Sequence, residues 1–167
     1  MRTATAFLCA LLFLLVPGVS AAKPPRAELL GISLGMPEDE AHERLVRIGT
    51  LSPGPTHERE SEAQASWTLR AGPWAYVALG LHDNQVAWVT AFARPKGHRV
   101  RYRDLGSLAE CQRSGAYFFI WRVPARGSQP AYKVIARGTD SLYVDSVSLA
   151  PEGAGAHDHE ETGHETH

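Results

Sequence analysis

The stretch that decides the fold runs from Trp74 to Ala93: W-A-Y-V-A-L-G-L-H-D-N-Q-V-A-W-V-T-A-F-A. Its first half puts Ala75, Val77, Leu79 and Leu81 on one face by the two-residue period of a strand. His82-Asp83-Asn84-Gln85 then forms a short polar turn, and Val86, Trp88, Thr90 and Phe92 alternate with smaller residues after it. Two such runs joined by a tight turn predict an antiparallel hairpin.

The same texture extends outward. Ser66 to Arg70 predicts a preceding strand, closed by the turn Ala71-Gly72-Pro73. Three more strands are expected at Tyr117–Val123, Ala131–Arg137 and Leu142–Leu149. Their joints are the Pro- and Gly-containing segments 124–128 and 138–140. Thr50 to Ala65, rich in Pro, Gly and charge, reads as a loop.

Helices are expected before each set of strands. In the first, Pro37 suits the opening turn, where its missing N–H costs nothing. Glu38, Asp39 and Glu40 face the positive end of the helix dipole, and Arg44 and Arg47 the negative end. Ala41, Leu45 and Ile48 make one apolar stripe, and Gly49 ends it. Leu29–Leu34 is a short strand or extended approach to this helix. A second short helix is expected over Leu105–Arg113, carrying Leu105, Leu108 and Cys111.

The order helix, three strands, helix, three strands predicts an α+β fold. Its form would be a twisted antiparallel sheet with one or two short helices packed on one face. The halves 28–94 and 104–150 show a faint parallel. Trp67 aligns with Trp121, Ala75-Tyr76 with Ala131-Tyr132, Leu79 with Ile135 and Val86 with Leu142. An internal duplication or a coincidence of two amphipathic hairpins accounts for it.

The 167 residues are 44% hydrophobic and 21% charged, with a formal charge of -1. That composition excludes a disordered or fibrous chain and a large multidomain enzyme. It supplies no global field for nucleic acid. Arg2, the apolar run Ala4–Val16, Pro17-Gly18 and the small residues Val19 to Ala22 read as a secretory signal over residues 1–22. Cleavage follows Ala21 or Ala22. The run falls short of the roughly 20 residues of a spanning helix, so no transmembrane segment is expected after cleavage. The expected location is periplasmic or secreted. Residues 23–150 then form a single α+β domain, and residues 151–167 a disordered tail rich in His and acids. Cleavage leaves Cys111 as the one thiol, expected to pack as a small hydrophobe.

The segment Leu34-Gly35-Met36-Pro37-Glu38-Asp39-Glu40-Ala41, followed by Leu45 and Ile48-Gly49, is similar to the opening motif of the small lipoprotein of the outer-membrane protein assembly machinery. It also resembles the related opening of the β-lactamase inhibitor protein family, which has tandem helix–sheet units. The resemblance implies a small α+β domain that binds other proteins and has no catalysis of its own. The lipid-bearing cysteine of the lipoprotein is absent here.

Two segments carry candidate binding chemistry. The tail holds His157, His159, His164 and His167 among Glu152, Asp158, Glu160, Glu161 and Glu165, with no Lys or Arg. Neutral imidazoles and carboxylates suit zinc or another divalent transition metal, bound weakly because the chain must be ordered around it. No cofactor is required by this reading. The connection after the hairpin carries Arg94, Lys96, Arg99, Arg101 and Arg103. An extended Val100–Arg103 would put Arg99, Arg101 and Arg103 on one side. Arginine there suits an anionic envelope component or an acidic protein face. The strand aromatics Trp67, Trp74, Trp88, Trp121, Tyr117 and Phe119 read first as core, with any excess lining a binding face. Nucleophile, phosphate-loop and closed metal-site motifs are missing. The sequence therefore favours an exported, noncatalytic binding module engaging another envelope protein over a metal buffer working through its tail.

Overall fold

The computed structural model describes residues 25–52 and 63–153. The chain enters as a small hairpin of β1 (Glu28–Leu29) and β2 (Ile32–Ser33). Leu30 and Gly31 turn it, both with positive φ. The segment expected as a strand or extended approach is thus a tight hairpin. Ile32 anchors it, fully buried.

Helix α1 (Glu38–Ile48) follows Pro37, with its acids in the first turn and Arg47 in the last. Ala41 and Leu45 are fully buried, as their spacing predicts. Ile48, expected on the same stripe, is instead 38% exposed. The chain leaves the helix there and runs directly into β3 (Gly49–Leu51). Gly49 ends the helix in an extended conformation, and its N–H donates to the Leu45 carbonyl. Glycine is required there by close approach. A Cβ would lie 2.8 Å from the Thr68 carbonyl oxygen.

The remaining strands are β4 (Ala63–Leu69), β5 (Trp74–His82), β6 (Gln85–Ala93), β7 (Gln112–Arg113), β8 (Phe118–Val123), β9 (Tyr132–Arg137) and β10 (Ser146–Pro151). They build one antiparallel sheet in the order β3-β4-β5-β6-β10-β9-β8-β7. The deciding hairpin forms as read. Asp83 and Asn84 occupy its two-residue turn with positive φ, a conformation that short polar side chains tolerate. The expected loop Thr50–Ala65 is strand at both ends; residues 53–62 lie outside the described part.

The second helix is α2 (Tyr102–Leu105), earlier and shorter than the expected Leu105–Arg113. Gly106 stops it. A Cβ at Gly106 would lie 2.9 Å from Nε1 of Trp121 and 3.1 Å from Pro25. Trp121 Nε1 donates to the Ser107 carbonyl at 2.9 Å, which fixes the chain in a turn beyond the helix. Val100–Arg103 is consequently not a continuous extended run. The Arg101 N–H donates to the Asp104 carboxylate at 3.1 Å as the helix begins.

Both helices and the small hairpin pack on one face of the sheet. That face presents Trp67, Val77, Ala91, Val147, Ala136 and Phe119 in one row across six strands. The next row runs from Ala65 through Leu79, Val89, Leu149 and Val134 to Trp121. These rows, with Ile32, Ala41, Leu45 and Tyr102, form one continuous core. The fold is α+β and dominated by antiparallel sheet.

The two meanders, β4-β5-β6 and β8-β9-β10, meet along β6 and β10. Trp67 and Trp121 occupy matching places, opposite Val77 and Val134. The other aligned pairs shift. Counting from the tryptophans, Leu79 corresponds to Ala136, whereas Ile135 points to the opposite face. Leu142 lies outside β10 and is 62% exposed, while Val144 is fully buried. A slip of one residue exchanges the faces of a strand, so the sequence alignment of the halves could not hold throughout.

Candidate protein-binding surface

The second face of the sheet carries no helix among the described residues. One row across it reads Thr68, Tyr76, Phe92, Ser146, Arg137 and Phe118. The next reads Ser66, Ala78, Thr90, Ser148, Ile135 and Ile120. Ala78 and Ile135 are buried but stand outside the main core. Tyr76 is 43% exposed, and Phe92, Trp88, Phe118 and Ile120 are half-buried.

These side chains are ordered by one another. The Tyr76 and Phe92 rings stack with centroids 4.2 Å apart and planes 14° from parallel. Trp88 lies against Gly80 on the neighbouring strand. A Cβ at Gly80 would fall 2.0 Å from the indole Nε1, so only glycine admits the ring in this position. At the middle of the face, Thr90 and Ser148 share a hydroxyl hydrogen bond of 2.8 Å. On the β8–β9 side the Arg137 guanidinium sits 4.7 Å from the Phe118 ring centroid. Arg122 is paired with Glu152. The face therefore combines flat aromatic surface on one side with apolar and cationic groups on the other.

The expected alternation placed Val86, Trp88, Thr90 and Phe92 together. The structure separates Val86, which is buried, from the other three. Register irregularities in β5–β6 lie between Trp74 and Tyr76 and between Gly80 and Leu81. Val89 and Ala91 consequently serve the core while the larger Trp88 and Phe92 face away from it. Of the six aromatics singled out in sequence, Trp67, Trp74, Trp121 and Phe119 are buried in the core. Trp88 belongs to the second face, and Tyr117 is 37% exposed. Tyr76 and Phe118 were missed. The signal for Tyr76 was present in Tyr76, Ala78 and Gly80, which alternate with Val77, Leu79 and Leu81 and leave both faces of the strand apolar.

The basic connection is divided. Arg94 Nη2 donates to the carbonyls of Leu69 and Trp74 at 2.9 and 3.1 Å, and its Nε to Gly72 at 3.3 Å. It therefore clamps the turn between β4 and β5. Arg99 lies 3.0 Å from the Asp140 carboxylate and 3.6 Å from that of Asp145, with its guanidinium over the Tyr143 ring. N–H groups of Leu142 and Tyr143, followed by Arg99, hold the Asp140 carboxyl below the usual carboxylate range. Lys96, Arg101 and Arg103 are exposed. Two of the five, Arg94 and Arg99, are therefore engaged by partners within the chain.

Cys111 is half-buried beside the core, with Sγ 3.2 Å from the Leu108 carbonyl. Burial pushes its thiol pKa up. Among the described residues no group of three or more His, Cys, Asp and Glu side chains could hold a metal ion. His157, His159, His164 and His167 lie outside the described residues. Glu152, read with that tail, instead pairs with Arg122 beside the sheet. Among the described residues no helix is long and apolar enough to cross a membrane. In comparisons with known proteins, the chain matches no family model, no curated protein sequence and no solved structure.

Proposed function

We propose that this protein is an exported, noncatalytic binding module that engages another protein of the cell envelope through the second face of its sheet. The observation that carries this reading is the ordered aromatic group of Tyr76, Phe92 and Trp88 on a face that no described helix covers. Rigid aromatic rings supply contact area at low entropic cost and are favoured at the centres of protein interfaces. Arg137 on the same face favours a partner whose apolar patch is bordered by a carboxylate. Export rests on the basic start, apolar run and small residues of the first 22 positions.

The resemblance of the Gly35–Ala41 segment to the openings of envelope binding domains supports the same reading, as does the absence of catalytic motifs from the sequence. The matching places of Trp67 and Trp121 in two meanders support descent by internal duplication. Cross-linking in envelope extract tests the reading, with the exported protein compared with a variant carrying Tyr76→Ser and Phe92→Ser. The expected result is an acidic-faced partner enriched by the natural chain and lost by the variant, while Arg103→Ala retains it. Equal recovery by the natural chain and the double variant would reject the face.

A further inference from the structure

A cleft of about 530 Å³ opens on the helix-bearing side of the sheet, away from the face assigned above. Val134, Val147 and Leu149 form its floor, with Trp74 beside them. The tip of the β1–β2 hairpin makes one lip, and Val100 and Leu105 make the other. Its size falls within the range of small-molecule sites, and its lining joins an apolar floor to polar and charged side chains at the border.

Two features show a built site. First, Leu30 lies on the lip in the left-handed region, with φ 59. That conformation is costly for a leucine and is normally left to Gly, Asn or Asp. Arg44 of α1 donates to the Gly31 carbonyl and holds the turn in place. The hairpin thus holds a large apolar side chain at the lip of the cleft, packed against the core, where turn chemistry alone would select a small or polar one. Second, the cleft is bordered by charges of both signs, Arg26 against Glu28 and Asp104, with the imidazole of His98 beside them. Among the described residues, Arg26, Glu28 and His98 make no ion pair or side-chain hydrogen bond.

We infer that this cleft binds a small zwitterion with an apolar body, the chemistry of a short apolar peptide with free ends. The ammonium lies toward Glu28 and Asp104, the carboxylate toward Arg26 and the imidazole of His98, and the apolar side chains on the valine and leucine floor. A single anion would meet the two carboxylates, and an uncharged hydrocarbon would leave the border charges unused. Neither fits as well.

The test titrates leucylphenylalanine into the purified exported protein, followed by amide NMR. Saturable shifts are expected at Leu29–Gly31, His98 and Leu105. N-acetylation and C-amidation of the dipeptide each remove one charge and should weaken binding about tenfold. Leu30→Gly relieves the backbone and opens the lip, so it should weaken binding while the protein still melts within a few degrees of the natural chain. A zwitterionic lysophospholipid, offered in parallel below its micelle concentration, distinguishes the lipid source of the same charges; the assignment expects the dipeptide to bind more tightly. Absence of saturation, equal binding of the capped dipeptides, tighter binding of the lysophospholipid, or shifts confined to Tyr76, Trp88 and Phe92 would each overturn the assignment.

Discussion

The two faces of the sheet use the same kinds of residue for different ends. On the covered face Trp67, Trp121 and Phe119 are enclosed by helices, a hairpin and one another. On the open face Trp88, Phe92 and Tyr76 are ordered mainly by strand neighbours and keep surface exposed. An aromatic residue in a strand is therefore not by itself a core residue. What decides is whether a second layer arrives over it, and the helices arrive on one side.

The sharpest way to break this comparison is to truncate an aromatic on each side. Trp121→Ala removes a fully enclosed ring and the hydrogen bond to Ser107. It should cost about 3–5 kcal/mol in denaturant unfolding. A loss below that seen for Phe92→Ala would invert the assignment of the two faces.

Gly80→Ala probes the open face without removing an aromatic. The added methyl takes the place of the Trp88 ring, so the indole must move. Overpacking of this kind costs roughly 1–3 kcal/mol. A shift in tryptophan emission, absent when Trp88→Phe is combined with it, should report the displacement. The pair Tyr76→Ser and Phe92→Ser should cost about 0.5–1.5 kcal/mol beyond lost area, with its larger effect on partner binding.

The basic connection gives a smaller contrast. Arg94→Ala leaves three carbonyl acceptors without their guanidinium and should destabilise by about 1–3 kcal/mol. Arg103→Ala, on an exposed helix turn, should stay within about 0.5 kcal/mol of the natural chain. Equal thermal shifts for the two would show that Arg94 is not the clamp. The smallest expected effect is one of pH. Because the Asp140 carboxyl is held below its usual range in the folded protein, its contribution is present above the ordinary carboxylate pKa. It is lost as pH falls through the lower folded value. Asp140→Asn should therefore be less stable near neutrality, with its unfolding curve converging on that of the natural chain in acid.

Much of the fold was legible because period and punctuation are local properties. The hairpin around Asp83-Asn84 and the buried pair Ala41 and Leu45 could be read from spacing, whereas the six chosen aromatics read alike as core and only four of them are. The second helix could not. Gly106 ends it because Trp121 and Pro25, distant in sequence, occupy the space beside it. The basic residues looked alike in sequence, yet carbonyls of the β4–β5 turn claimed Arg94 and the acids Asp140 and Asp145 claimed Arg99. Sequence proximity gave no indication of those partners.

By itself, the sequence determined the strand and helix texture, the turn that pairs β5 with β6, and the apolar residues available for burial. These follow from backbone preferences and side-chain periodicity within a few neighbouring residues. Only the tertiary structure decided which face of the sheet received the helices, which arginines became clamps, and where a cleft was left between hairpin and sheet. Those outcomes depend on register and on contacts between residues far apart in the chain. A one-residue slip in register exchanges inside for outside.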